Sequence, residues 1–129
     1  MATLRDVVTD CARPAPLARF WAQVLDGYEV APYDDAEVAR LAGLGITDLE
    51  DDPTVLVHPV AGGPGVRFWF QQVPEGKITK NRVHVDLAAD DVASEVARLV
   101  ALGATVIRDT GSGTIVLADP EGNEFCLIR

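Results

Sequence analysis

Cysteine and histidine are scarce in this sequence, and their scarcity excludes several classes of protein. Only Cys11 and Cys126 occur, far apart and outside any CxxC pattern, and the two histidines are His58 and His84. A disulfide framework needs more cysteines, and a structural zinc site needs closely spaced Cys and His ligands. The sequence therefore predicts two reduced thiols, a cytoplasmic protein and very few positions for nitrogen or sulfur metal ligands.

Basic residues and long apolar runs are also lacking. Lys and Arg number 11 against 20 Asp and Glu, which gives a formal net charge of −9 at pH 7. Such a charge repels phosphate backbones and anionic membrane surfaces. No apolar run reaches the roughly 20 residues that cross a bilayer, and the first residues lack the basic and apolar segments of a signal peptide. We expect neither a nucleic-acid nor a membrane partner.

What is present is the composition of one folded domain, with 48% hydrophobic and 24% charged residues. Apolar positions at helical spacing predict helices over residues 14–25 and 92–102, and a capping box at Asp34 predicts a short helix through Leu41. Residues 48–52 are predicted to form a solvated loop, and His58 to lie exposed in a turn. Strands are predicted at 4–10, 28–32, 55–57, 66–73, 82–87, 105–107, 114–118 and 124–128.

The two halves of the chain repeat each other. Residues 7–12 (VVTDCA) match residues 83–88 (VHVDLA), and a glycine stop follows each segment at the same distance, as Gly27 and Gly103. The repeat predicts two βαβββ modules within one domain: module one at 1–76, a linker at 77–81 and module two at 82–129. We expect an α+β fold in which curled mixed sheets surround a shared cavity.

Three motifs resemble a known family. They are Phe20-Trp21 on the first helix, NRVHVDL at 81–87 and ADPEGNEF at 118–125. Together with the repeat, they resemble the vicinal oxygen chelate superfamily, and within it the glyoxalase-like branch. That superfamily includes glyoxalases, extradiol dioxygenases, epimerases, antibiotic-modifying enzymes and proteins that sequester drugs such as bleomycin. The resemblance therefore implies the fold without selecting a reaction.

The resemblance also implies where metal ligands would lie, namely on the first and last strands of each module. His84 occupies the first-strand position of module two. The repeat places Val8 at the equivalent position of module one, whereas a register shifted by two residues places Asp6 there. Cys126 lies where the metal enzymes usually carry glutamate, and Glu124 lies two residues earlier on the same strand face.

The last-strand position of module one falls on Trp69 or Gln71, and neither is a strong metal ligand. We therefore predict no intact metal site and no required cofactor. The alternative is a divalent metal bound by a set drawn from His84, Cys126 or Glu124, and Asp6.

Several candidates keep two interpretations. Asp86 and its repeat mate Asp10 either cap loops or pair with a nearby arginine such as Arg82, or they bind a polar or cationic ligand, because a carboxylate is costly to bury alone. Cys126 is either a small buried apolar residue or a thiol nucleophile. Trp69 is predicted to face the cavity together with Gln71 and Arg67.

Three functions remain as hypotheses. The first is a small-molecule binding protein or metal-independent enzyme, with His84 and Asp86 as catalytic groups. Its ligand-binding residues would be Asp10, Trp69, Gln71, Glu124 and Cys126. The second is a divalent-metal-dependent lyase, isomerase or dioxygenase, and the third is a non-catalytic ligand-sensing or drug-sequestering module. The partner is an unknown small molecule, and the apolar first strand and Phe20-Trp21 helix predict a homodimer.

Overall fold

The structure, a computed structural model, describes residues 1–129 and divides into two compact units, Met1–Gly76 and Lys77–Arg129. Each unit contains one open four-stranded mixed sheet; the first unit has two α-helices and the second has one. None of the helices combines the length and hydrophobicity that a membrane-spanning segment requires.

The first unit is a βαβββ module with one additional helix. Its sheet has the order β1-β4-β3-β2, in which β1 runs parallel to β4 and the other pairs are antiparallel. Its elements are β1 Asp6–Cys11, α1 Pro14–Val24, β2 Tyr28–Val30, α2 Asp35–Gly43, β3 Thr54–Pro59 and β4 Arg67–Gln72.

Helix α1 buries its apolar stripe against β3 and β4. Phe20 and Trp21 are only 4% and 9% exposed, and their rings meet edge to face with centroids 5.5 Å apart. Burial of each such side chain contributes roughly 1.5–3 kcal/mol. The apolar stripe is thus buried inside the first unit. The expectation that Phe20 and Trp21 offer an apolar surface to a second chain is wrong.

The second unit repeats the module without the additional helix. Its sheet has the order β5-β8-β7-β6, again with the first strand parallel to the last. Its elements are β5 Asp86–Ala88, α3 Val92–Leu102, β6 Thr105–Asp109, β7 Thr114–Ala118 and β8 Glu124–Ile128. The predicted α+β class with two βαβββ modules is confirmed.

The internal repeat holds at the level of strand register. Asp10 on β1 lies opposite Gln71 on β4, and Asp86 on β5 lies opposite Cys126 on β8. Asp10 and Asp86 are the residues that the sequence repeat aligns. The same row of each sheet therefore carries a carboxylate, beside the Gln71 amide in the first sheet and the Cys126 thiol in the second.

The predicted starts of α2 and α3 are confirmed by their caps, whereas α2 ends at Gly43, two residues beyond the predicted end at Leu41. The Asp34 carboxylate accepts a hydrogen bond from the Glu37 backbone amide at 2.8 Å, and the Asp91 carboxylate accepts from the Ser94 amide at 3.1 Å. Gly103 ends α3 with φ of 122°, a backbone conformation that favours glycine.

The strand predicted at 82–87 is wrong at its start. The Asn81 amide donates to the Glu124 carboxylate at 2.9 Å, so residue 81 is held by a side chain and not by a neighbouring strand. Backbone pairing with β8 begins at Val85, whose carbonyl accepts from the Cys126 amide at 3.0 Å. Val83, which would alternate onto the core side of a strand at 82–87, is 80% exposed.

Two further local predictions are wrong. Residues 48–52 include a short 3₁₀ turn, Leu49–Asp51, and the following Asp52 is buried, where it accepts a hydrogen bond from the Tyr33 hydroxyl at 2.6 Å. His58 lies within β3, and its Nε2 is 3.2 Å from a carboxylate oxygen of Glu29 on the neighbouring β2.

Candidate functional site

The second sheet has two chemically different faces. Alternation along β8 buries Phe125 and Leu127 at 0% and 1% exposure on the face that packs against α3. Cys126 therefore points to the opposite face, as does Asp86, which lies beside it in the strand register. We call this second surface the open face.

Three groups of different chemistry converge on the open face. His84 Nε2 lies 3.4 Å from Asp86 Oδ1, and the ligand atoms of His84, Asp86 and Cys126 all lie within 4.8 Å of one another. The side chains of His84 and Asp86 remain 41% and 53% exposed. An imidazole oriented by a carboxylate is a pair that general acid–base catalysis uses.

The Cys126 thiol is not activated by this neighbourhood. Burial raises its pKa, and so do the charge of Asp86 and a hydrogen bond with it, while the positive charges of Lys80 and Arg108 act in the opposite direction. The thiol therefore stays protonated near neutral pH, which favours the small apolar interpretation of Cys126 over the nucleophile.

Glu124 is already occupied by the protein itself. Its carboxylate accepts from the Asn81 amide at 2.9 Å and from Lys77 Nζ at 3.1 Å. The hydrogen bond from Asn81 is the main reason that the pKa of Glu124 falls to about 2, and Lys77 adds to the shift. Glu124, proposed from the sequence as a ligand or metal residue, lies at the attachment point of residues 77–81.

Asp6, the other carboxylate proposed as a metal ligand, lies in the first unit and forms a bidentate ion pair with Arg67. The two hydrogen bonds measure 2.7 and 3.0 Å. Arg67 lowers the pKa of Asp6, chiefly by hydrogen bonding, and Trp69 contributes a further hydrogen bond. Both oxygens of this carboxylate are therefore engaged by the guanidinium.

The remaining candidates of the first unit occupy the same sheet face as Asp6. Trp69 lies opposite Val8, and Gln71 lies opposite Asp10. Trp69 is half-buried, whereas Asp10 and Gln71 are exposed. The expectation that Trp69, Gln71 and Arg67 share a face agrees with this register, since they alternate along β4.

Sequence reasoning missed two polar pairs in the first unit, Tyr33 with Asp52 and His58 with Glu29. The burial of Asp52 was not predicted, because it belongs to an acidic run at 48–52 and charged runs are ordinarily solvated. Burial and the hydrogen bond to Asp52 raise the pKa of Tyr33 far above its usual value, so its hydroxyl remains a donor. No local sequence pattern links the two residues, because Tyr33 and Asp52 lie 19 positions apart in the chain.

Comparison with known proteins identifies relatives of the whole chain. The sequence model of the family described as "Glyoxalase-like domain" matches residues 6–128. The fold is similar to the fosfomycin resistance protein FosX from Mesorhizobium loti, with a TM-score of 0.64 and 12% identity over 99% of this chain and 91% of that one.

Two further solved structures show the same fold. A glyoxalase/bleomycin resistance protein/dioxygenase family enzyme from Burkholderia phytofirmans has a TM-score of 0.65 and 18% identity over 98% of this chain and 97% of its own. A possible glyoxalase from Bacillus cereus has a TM-score of 0.64 and 11% identity over the full length of both chains. A comparison with curated protein sequences finds no match.

Proposed function

The chain belongs to the glyoxalase-like domain family, and from this premise we propose that it binds a small polar molecule on the open face of its second sheet. The observation that supports the proposal is the convergence of His84, Asp86 and Cys126 within 4.8 Å on a solvent-accessible surface. Neither His84 nor Asp86 packs into the core, so the fold itself gives no reason for placing them together.

The roles of the three groups follow from their surroundings. His84 would exchange a proton with the bound molecule, and Asp86, 3.4 Å away, would orient the imidazole. Cys126, held protonated, would serve as a small contact surface between them. This arrangement supports metal-independent general acid–base catalysis. The alternative is that the protein binds the molecule without converting it.

A thermal-shift screen of small hydroxy, oxo and amide compounds, followed by calorimetry on the strongest hit, tests the proposal. We expect His84→Ala and Asp86→Ala each to weaken binding about tenfold or more, which is about 1.4 kcal/mol, while the melting temperature changes by only a few degrees. Asp90→Ala, an exposed acid beyond the end of β5, is the matched control and should bind normally. Unchanged binding in both site variants would refute the proposal, and mass spectrometry of the bound compound separates turnover from simple binding.

A divalent metal at the same three residues is the second candidate. Nitrogen, carboxylate oxygen and sulfur are donors that suit zinc and related ions, and ligand atoms within 4.8 Å of one another need only a modest contraction to share one ion. His84, Asp86 and Cys126 would hold the ion, which would polarise a substrate oxygen. Glu124 and Asp6 are engaged by Asn81, Lys77 and Arg67, so they supply no free ligand.

Elemental analysis of protein purified without chelator distinguishes the two candidates. The raised pKa of Cys126 opposes formation of a thiolate, and metal binding needs one. We therefore expect far less than one transition metal per chain. Nearly one bound Zn, Ni, Mn or Fe, lost on His84→Ala, would favour the metal-dependent function instead.

We also propose the cytoplasm as the compartment. Neither Cys11 nor Cys126 forms a disulfide, and thiols stay reduced best in a reducing compartment.

A further inference from the structure

A single row of residues crosses the second sheet from edge to edge on the open face. Arg108 on β6 lies opposite Val116 on β7, Val116 lies opposite Cys126 on β8, and Cys126 lies opposite Asp86 on β5. Residues directly opposite one another in a sheet point to the same side. The row therefore has a guanidinium at one end and the His84–Asp86 pair at the other.

A β-bulge is what brings Arg108 into this row. Val106 pairs with Leu117, which is fully buried on the α3 side, and the register then shifts so that Arg108 instead of Ile107 pairs with Val116. Without the extra residue, Ile107 would occupy the open-face position. Bulges of this kind redirect a side chain, and they are frequent beside functional sites.

Arg108 carries a charge that the protein does not neutralise. It is exposed, and no carboxylate lies within ion-pair distance of it, in contrast to Arg67 and Arg98, which pair with Asp6 and Glu95. An exposed guanidinium held on a strand presents a planar set of donors that matches a carboxylate or phosphonate.

Lys80 supplies a second free cation near the row. The adjacent Asn81 is attached to the Glu124 carboxylate, two residues before Cys126 on β8, and this attachment places Lys80 beside the open face. Lys80 and Arg108 both lie close enough to Cys126 to interact electrostatically with its thiol. Lys77 neutralises Glu124, so that carboxylate does not compensate the two cations.

We infer that the molecule bound on the open face is a small organic anion, whose charged group is held by Arg108 and Lys80 and whose polar end reaches His84 and Asp86. The inference rests on the proposed binding function and adds the class of ligand. Three interstrand spacings of about 4.8 Å separate Arg108 from Asp86 along the row. Val116 lies between them and offers an apolar contact for the body of the molecule.

The test compares phenylacetate and phenylphosphonate with neutral phenylacetamide by NMR titration of ¹⁵N-labelled protein. We expect both anions to shift the amide signals of residues 108, 116 and 126, and we expect the amide compound to bind at least tenfold more weakly. Arg108→Gln should weaken the two anions about tenfold and leave phenylacetamide unchanged, with a smaller loss for Lys80→Gln. Arg98→Gln, which removes an equal charge from α3, is the matched control.

The outcomes separate this inference from the proposed function. Equal binding of phenylacetate and phenylacetamide, or equal losses in Arg108→Gln and Arg98→Gln, would overturn the anion inference. If neither anion shifts the amide signals of residues 108, 116 and 126, the anion inference is overturned as well. The proposed function fails independently if neutral screening hits bind normally to His84→Ala and Asp86→Ala.

Discussion

At the scale of single residues, the Glu124 carboxylate links acid stability to the attachment of residues 77–81. Its pKa falls from the ordinary 4.5 to about 2 in the folded chain, so its contribution to stability is fully present above pH 4.5 and is lost as the pH falls towards 2. We expect Glu124→Gln to reduce the difference in urea midpoint between pH 6 and pH 3. The exposed Glu75→Gln should retain the difference found in the unmodified protein, and an identical acid dependence for both variants would contradict the assignment.

Tyr33 and Asp52 form the second residue-scale test. Asp52 is 3% exposed and accepts hydrogen bonds from the Tyr33 hydroxyl at 2.6 Å and the Thr54 amide at 3.0 Å. Tyr33→Phe removes the donor and leaves a buried acceptor short of one partner, at a cost of about 1–3 kcal/mol in the free energy of unfolding. Urea denaturation measures this loss.

Tyr28→Phe is the matched control for that experiment. The Tyr28 hydroxyl donates to the Val66 carbonyl at 2.9 Å. Its removal takes one hydrogen bond from a neutral acceptor and should lower the free energy of unfolding by less, about 0.5–1.5 kcal/mol. An equal or larger loss in Tyr28→Phe would contradict the expectation that the hydrogen bond to the buried Asp52 carboxylate contributes more than the one to the Val66 carbonyl.

At the scale of elements, the end of α3 depends on the backbone freedom of glycine. Gly103 has φ of +122°, and an added Cβ would meet Pro120 Cγ only at 3.5 Å, an ordinary contact. Any loss of stability in Gly103→Ala therefore arises from backbone strain. We expect the free energy of unfolding to fall by more than about 1 kcal/mol.

Gly43 provides the comparison within the same chain. It lies at the end of α2, has no positive φ, and an added Cβ there would meet nothing within 4 Å. Gly43→Ala should be neutral or stabilising by about 0.4–1 kcal/mol, because alanine has less freedom in the unfolded chain. Equal effects of the two substitutions in thermal unfolding would refute the explanation.

At the scale of the whole molecule, association with a second copy remains a prediction. Helix α1 no longer supports it, but Val100 on α3 and Val106 on the neighbouring β6 are 46% and 44% exposed, and Val8 on β1 is 53% exposed. Light scattering at micromolar concentration should give a mass near twice the 13.8 kDa of one chain. Val100→Glu should lower that mass if α3 takes part, and a monomeric unmodified protein would contradict the prediction.

The sequence by itself determined the architecture, because each element carries a local physical cause. Apolar spacing predicted α1 and α3, Asp34 and Asp91 began helices by capping amides, and Gly103 ended one through its positive φ. The repeat aligned Asp10 with Asp86, and the structure places these two residues at equivalent positions of their sheets.

Only the tertiary structure decided which polar side chains are available for chemistry. Three carboxylates are engaged by partners that are distant in sequence. Asn81 and Lys77 bind Glu124, Arg67 binds Asp6, and Tyr33 binds Asp52. The bulge that redirects Arg108 likewise arises from pairing between two strands. Local pattern fixes the period of an element, whereas hydrogen-bond partners and register shifts exist only once separate elements meet.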